Sequence, residues 1–277
     1  MKKILVPVDF STPSENALKV AADLAKKNNA QVCVLHVIEL AETLFGSEQF
    51  NVDDEQIVFF MKMAKKRFAK FMEKDFLKEI DYKDMVDIGP TSKYISEYAK
   101  KENVDMIVMG STGVSGLEEV LIGSNTEKIV RTSPVPVLVV KKKMEDLSIK
   151  QVVFASDFDL ESLKAYENAK KFADSFDAQL KLLYVNLPGN QFYSTKEIHE
   201  QMRKFLHEAE VELNEENVMI YNDYTIQLGV INGANTLNAD LIAMPTHGRR
   251  GLSHFFNGSI GEDVVNHSTL PVITFKI

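Results

Sequence analysis

A single cysteine, Cys33, stands in this chain of 277 residues. One cysteine excludes an internal disulfide framework and a thiolate metal cluster, and its place inside an apolar run reads as a buried, inert thiol. No apolar stretch approaches the ~20 residues that cross a bilayer. The N-terminal run Ile4-Leu5-Val6-Pro7-Val8 is too short for a signal peptide. Positive charge is also scarce. Lys and Arg number 32 against 40 Asp and Glu, a net charge of -8, which argues against a nucleic-acid binder relying on a general positive field. No two histidines have the i, i+4 spacing of a helical metal site, so His199, His207, His247 and His254 read as solvated rather than as ligands. A P-loop with its lysine, kinase-type motifs and a nucleophile elbow are all missing, so no catalytic machinery is evident. These absences describe a cytoplasmic chain with neither membrane nor nucleic acid as partner, and with no metal held by protein side chains.

What is present suffices for a core: 45% of the residues are hydrophobic and 26% charged. The length suits one large domain or two ordinary ones, and internal repetition selects the second. Shifted by 148 residues, the first 37 positions align without a gap, placing Asp9-Phe10 on Asp157-Phe158, Ala17, Ala21 and Ala25 on Ala165, Ala169 and Ala173, and Val37 on Val185. Toward the end of each copy the shift becomes 135, placing Met109 on Met244, Gly113 on Gly248, Gly123 on Gly258 and Pro136 on Pro271. The second copy is therefore 13 residues shorter in its middle. Residues 141–147 are charged and aperiodic, which suits a linker between domains at 1–143 and 149–277.

In copy one, residues 4–8, 32–37, 85–88, 106–109 and 135–140 read as short buried strands. Thr12-Pro13-Ser14-Glu15 has the form of a capping box with proline at the first helical position. Ala17, Val20, Ala21, Leu24 and Ala25 then continue as one apolar helix stripe. Residues 57–80 predict a long amphipathic helix with Phe60, Met61, Ala64, Phe68, Phe71 and Met72 on its core side or, alternatively, on a face for a protein partner or lipid. Residues 91–102 and 124–132 predict two more helices. Copy two has strands at 151–155, 180–185, 241–244 and 272–275 and a long helix at 195–216. Only nine residues separate Gly229 from Ala239, which predicts a short or irregular third helix there. Near-continuous apolar strands alternating with helices predict an α/β fold of two tandem doubly wound parallel sheets. The last strand of each copy would be an exposed apolar edge, so residues 135–140 and 272–275 are expected to pair antiparallel and pack the halves as a pseudo-dimer.

The motif that carries chemistry is Gly110-Ser111-Thr112-Gly113, nine residues, then Gly123-Ser124, lying between a strand and the helix that continues through Glu127-Lys128-Ile129-Val130. Glycine backbone at such a place gathers bare N–H groups and a helix N-terminus, the requirements of a phosphate site. Copy two repeats it as Pro245-Thr246-His247-Gly248, nine residues, Gly258-Ser259, with a proline that has no N–H at the first position. Gly248, Arg249, Gly258 and Ser259 form a second candidate anion site, in which Arg249 and Arg250 either neutralise a ligand or belong to solvated surface. Structural alternatives stand beside these readings. Ser124-x-x-Glu127 and Ser259-x-x-Glu262 have capping-box spacing, and Asp9, just past a strand, reads also as a turn residue capping the next helix. Open parallel sheets bind ligands beyond the carboxyl ends of their strands, where strand order reverses. Asp9, Val37 and the Gly110 loop all follow strand ends. No base for hydrolysis is evident, Glu118 and Glu119 being near only in sequence.

The strand end Val6-Pro7-Val8-Asp9-Phe10-Ser11, the strand end Leu35-His36-Val37, the Gly110–Ser124 pattern after Val108-Met109, and the closing Ser133-Pro134-Val135-Pro136-Val137 run resemble the universal stress protein family in its tandem two-domain form. The resemblance covers nearly the whole chain, twice. It implies two five-stranded doubly wound domains, adenine nucleotide alpha hydrolase-like, packed through their last strands. For the first domain it implies ATP binding. Asp9 and Val37 would lie at the adenine and ribose end, Met109 and Gly110 along the nucleoside, and Gly113, Gly123, Ser124 and Asn125 around the phosphates, with Pro7 and Val8 also among the binding residues. A divalent cation, Mg2+ or Mn2+, would accompany the triphosphate. The corresponding Asp157, Val185, Met244, Pro245, Gly248, Gly258, Ser259 and Ile260 depart from the pattern at Pro245, which implies one ATP per chain. The expected function is nucleotide-responsive binding in the stress response, with a ligand-free interaction scaffold and a weak ATP hydrolase as alternatives. A homo-oligomer of the tandem chain is left open.

Overall fold

The computed structural model describes residues 1–39, 54–111, 122–144, 147–246 and 259–277. The first half contains β1 (Lys3–Pro7), α1 (Thr12–Asn28), β2 (Gln31–Ile38), α2 (Asp54–Phe71), β3 (Tyr82–Ile88), α3 (Thr91–Lys101), β4 (Met106–Gly110), α4 (Ser124–Thr132) and β5 (Val137–Val140). The second half repeats that order as β6 (Gln151–Ala155), α5 (Leu163–Asp174), β7 (Gln179–Asn186), α6 (Thr195–Glu208), β8 (Val218–Asn222), α7 (Ile226–Thr236), β9 (Leu241–Thr246), α8 (Ser259–His267) and β10 (Val272–Lys276).

All ten strands join one sheet in the order β3-β2-β1-β4-β5-β10-β9-β6-β7-β8. Neighbours within each half are parallel, as the apolar strands require. The two last strands meet at the centre, antiparallel, with Val272 opposite Val139 and Thr274 opposite Val137. Each strand thereby supplies the partner that the other's edge would lack. Alternate strand residues point to opposite faces. Ile4, Val6, Val140, Phe154 and Phe275 face α1, α2, α5 and α6, whereas Leu5, Val139, Val153 and Val272 face α3, α4, α7 and α8. Both hydrophobic layers contain residues of both halves.

Local chemistry explains where the elements start and stop, and several expectations need correction. Ser11, not Thr12, is the N-cap of α1: its hydroxyl accepts from the Ser14 N–H at 3.3 Å, so Glu15 falls one residue beyond the box position. Helix α2 ends at Phe71 rather than 80, and a separate turn, Asp75–Leu77, leads toward β3. Phe68, Phe71 and Met72 are buried, but Phe60 is 43% exposed, so only the C-terminal part of α2 faces the core. Helix α6 stops at Glu208 rather than 216, where Glu210 adopts a positive φ of 55°; at its start Ser194 and Glu197 form a reciprocal capping box. Helix α7 is neither short nor irregular. It runs eleven residues from Ile226, because Thr225 caps it before Gly229 is reached, its hydroxyl accepting from the Leu228 N–H. Strand β3 begins at Tyr82, three residues before the apolar run does. Cys33 is buried and burial pushes its thiol pKa up, which disfavours the nucleophilic thiolate.

Candidate functional site

In each half the strand order reverses between the first and fourth strands. At that point in the first half, beyond the carboxyl ends of β1, β2 and β4, lies a cleft of about 450 Å³. Pro7, Val8 and Asp9 follow β1 into it, Val37 enters from β2, and Met109 and Gly110 from β4. Gly123, Ser124 and Asn125 close it from the start of α4. Nine residues singled out from sequence are thus brought to one place; the tenth, Gly113, lies outside the described residues, as do Glu118 and Glu119. The cleft also takes in Ser11, Ser14, Leu35, Glu39, Thr91, Ile95 and Thr126. Sequence reasoning missed these. Thr91 and Ile95 sit on a helix that was recognised, but only the crossover from β3 to β4 brings its first turn here.

Asp9 is held by its own turn. Its Oδ1 accepts from the Ser11 N–H at 3.0 Å and from the Ser11 hydroxyl. Phe10 adopts φ 66°, a left-handed conformation that is costly for a bulky residue and survives only when its surroundings over-determine it. The turn sends the Phe10 ring onto His36, Phe68 and Phe71 while Asp9 remains at the cleft. His36 Nδ1 lies 2.8 Å from the Val8 carbonyl oxygen, and burial lowers the imidazole pKa. Phe158 repeats the left-handed turn with φ 56°, so this geometry belongs to the fold in both halves.

Helices α1, α3 and α4 all begin at the cleft, and their starts differ; α3 follows Pro90 with no side-chain capping bond. The start of α1 is capped by Ser11. Helix α4 has Gly123 at its N-cap and no side-chain capping bond. The expected Ser124–Glu127 box does not form, because the helix starts one residue early: Ser124 is already its first helical residue and lines the cleft. Ser259 likewise is the first residue of α8 rather than its cap. The first N–H groups of α4 therefore have neither an intrahelical partner nor a side-chain cap, and a helix N-terminus attracts anions. The Thr126 hydroxyl donates to the Gly110 carbonyl at 3.1 Å and ties this helix to the end of β4. No described residue lining the cleft is basic, and Asp9 and Glu39 are acidic. An anion there would rely on backbone N–H groups and an accompanying cation. Among the described residues no group of three His, Cys, Asp or Glu is placed to hold a metal ion.

Gly110 has a structural reason as well. A Cβ there would lie 2.6 Å from both the C and O of Pro13, so bare backbone is required where β4 passes the start of α1.

The universal stress protein family model matches the chain twice, over residues 1–141 and 148–276. The chain belongs to the universal stress protein family. The universal stress protein MJ0577 of Methanocaldococcus jannaschii is 36% identical over 155 residues, 51% of this chain and 96% of the relative. Universal stress protein YxiE of Bacillus subtilis is 32% identical over 149 residues, 50% of this chain and 98% of the relative. Over its full length the fold is similar to a crystal structure of a universal stress protein from Archaeoglobus fulgidus, with a TM-score of 0.76 and 24% identity, covering 99% of this chain and 98% of that one.

Within this universal stress protein the second half treats the same positions differently. Asp157 is 5% exposed and Val185 4%, whereas their counterparts Asp9 and Val37 are half-buried. Helix α7 lies directly on β7. A Cβ on Gly229 would sit 2.3 Å from Val185 Cγ1, and one on Gly233 would sit 2.8 Å from Leu183 Cδ1. Tyr94 and Tyr98 occupy these positions in α3 and keep it from lying as close to β2. Pro245 is part of β9, opposite Phe275. At the counterpart Gly110 a Cβ would point toward the start of α1, and in the second half the corresponding start differs: a turn, Leu160–Ser162, precedes α5. Gly248, Arg249, Arg250 and Gly258, with His247 and His254, lie outside the described residues, and so does the side chain of Ser259.

Proposed function

We propose that the first half binds an adenine nucleotide, ATP with Mg2+ or Mn2+, and that the chain serves as a nucleotide-responsive module of a cytoplasmic stress response. The proposal keeps two units, 1–143 and 149–277, with one nucleotide per chain. The observation that carries it is the uncapped N-terminus of α4 opening onto the same cleft as the Asp9 carboxylate. The residues present fit the ligand. Leu35, Val37 and Ile95 offer apolar contact for a base, and Asp9 is an acceptor for its amino group or for ribose hydroxyls. Met109 and Gly110 would lie along the nucleoside. Gly123, Ser124 and Asn125, with Gly113, would meet the phosphates. The cation would offset phosphate charge that no described side chain lining the cleft neutralises. Family membership supports the reading through the glycine pattern quoted above.

A ligand-free scaffold is the second reading, favoured by one observation: Gly110 is already demanded by the packing of Pro13. Mass spectrometry of small molecules released from the purified protein, together with melting curves in ATP and Mg2+, separates the two. Copurifying adenine nucleotide and a melting temperature that rises with ATP concentration are expected. No nucleotide and an unchanged curve at millimolar ATP would leave the scaffold.

A further inference from the structure

We propose that Asn266, in the second half, is a positioning residue for the phosphate end of the first-half cleft. The proposal rests on the nucleotide reading and adds to it a function for the second half. The Ile122 N–H donates to Asn266 Oδ1 at 3.0 Å. Ile122 is 8% exposed and immediately precedes Gly123, the extended N-cap of α4. A buried N–H left unpaired is costly, so this bond is not readily exchanged for water. Gly123 in turn donates its N–H to the Ser111 carbonyl at 2.8 Å. The start of α4 is therefore held from its own half, by this bond and by that of Thr126 to Gly110, and from α8 through Asn266.

Asn266 is itself fixed. It lies in the last turn of α8, whose Val265 and Asn266 carbonyls accept from the Lys141 ammonium. A cation at a helix C-terminus suits both the free carbonyls and the macrodipole. The Arg131 guanidinium and the Glu262 carboxylate, 3.5 Å apart, add a second link between α4 and α8. The brace runs in one direction. Arg131 is the counterpart of Asn266 under the 135-residue shift, and a guanidinium has no acceptor to offer a backbone N–H. The second half can hold the first half's helix start in this way, but the first cannot return the contact.

Asn266→Ala tests the proposal by two affinities and one exchange rate. ATP with Mg2+ is expected to bind roughly three- to ten-fold more weakly, the effect of one net hydrogen bond. Adenosine, which has no phosphates to position, is expected to bind as it does to the wild type. Amide exchange at Ile122 is expected to quicken, and Asn266→Asp, which keeps an acceptor oxygen, to restore its protection. Unchanged ATP affinity in a variant of a wild type that binds ATP would overturn the positioning role alone. Equal weakening of ATP and adenosine would also overturn it, as general damage. A wild type that binds no ATP would overturn the nucleotide reading itself, and the positioning role with it.

Discussion

The two halves share strand order, the left-handed turn after their first strand and an eleven-residue third helix, yet the first leaves Asp9 and Val37 half-buried at a cleft where the second buries Asp157 and Val185. In the first half Asp9 and Val37 remain accessible beside α3. In the second, α7 carries Gly229 and Gly233 where α3 carries tyrosines and lies against Val185 and Leu183, and Val185 and Asp157 are both buried. A helix that can approach a strand by the width of a side chain removes the room a base would need. The difference teaches that a repeat can keep the same order of elements while helix-to-sheet distance decides how exposed its strand-end residues are.

The largest expected effect breaks the comparison at the first cleft. Gly123→Val should remove the ATP-dependent rise in melting temperature and raise Kd by roughly two orders of magnitude, because a branched side chain occupies the phosphate approach. The cost to folding should be only about 1 kcal/mol, typical of a poor N-cap. Calorimetry that still registers bound ATP in this variant would locate a competent site in the second half.

The next effect sharpens the contrast between Gly110 and Pro245. Gly110→Ala drives a Cβ into the Pro13 backbone and should destabilise by about 1–3 kcal/mol in denaturant unfolding. Pro245→Ala has no such partner and should cost about 1 kcal/mol or less. Equal costs would mean that the two helix starts do not differ as described.

Gly229→Ala tests how close α7 lies. The stiff, β-branched Val185 cannot swing away, so overpacking should cost about 1–3 kcal/mol. The double variant with Val185→Ala should lose less than the sum of the singles, since neighbouring sites couple. Strict additivity would separate the two residues.

A smaller effect concerns the contact between halves. Burial raises the Glu262 carboxyl pKa above 4.5, opposed by Arg131 and reinforced by Glu127 and Asp263. The native state then holds a proton that the unfolded chain has released. This contribution is full below the unfolded value and is lost as pH rises through the folded one. Relative to Glu262→Gln, the wild type should lose melting temperature as pH rises from about 4.5 toward 7. Parallel curves would remove Glu262 from the account. The last expectation is no change: Pro245→Gly should leave ATP stoichiometry at one, because Asp157 and Val185 stay buried. A stoichiometry of two would show that the proline alone had closed the second site.

Much of the fold was legible because parallel strands buried on both faces read as apolar runs. Residues 151–155 and 124–132 coincide with β6 and α4 at both ends. Errors arose where one pattern admits two registers. Ser11 and Thr12 are both good caps, and Ser124–Glu127 has capping spacing although the helix begins too early to use it. For α7, the nine residues between Gly229 and Ala239 were read as all the room a helix had, when Gly229 lies within the helix and against Val185 of β7. Of the cleft, residues following strand ends were recognisable from strand order alone. Thr91 and Ile95 were not, because their approach depends on how α3 crosses the sheet.

The sequence by itself determined a twice-repeated α/β chain, its strand faces and the glycine pattern, since periodicity and backbone chemistry are local properties. Only the tertiary structure decided that Val185 is buried under α7 while Val37 is not, that Gly110 answers to Pro13, and that Asn266 reaches Ile122. Each of these is a contact between residues distant in the chain, and close packing makes such contacts depend on differences no larger than one side chain.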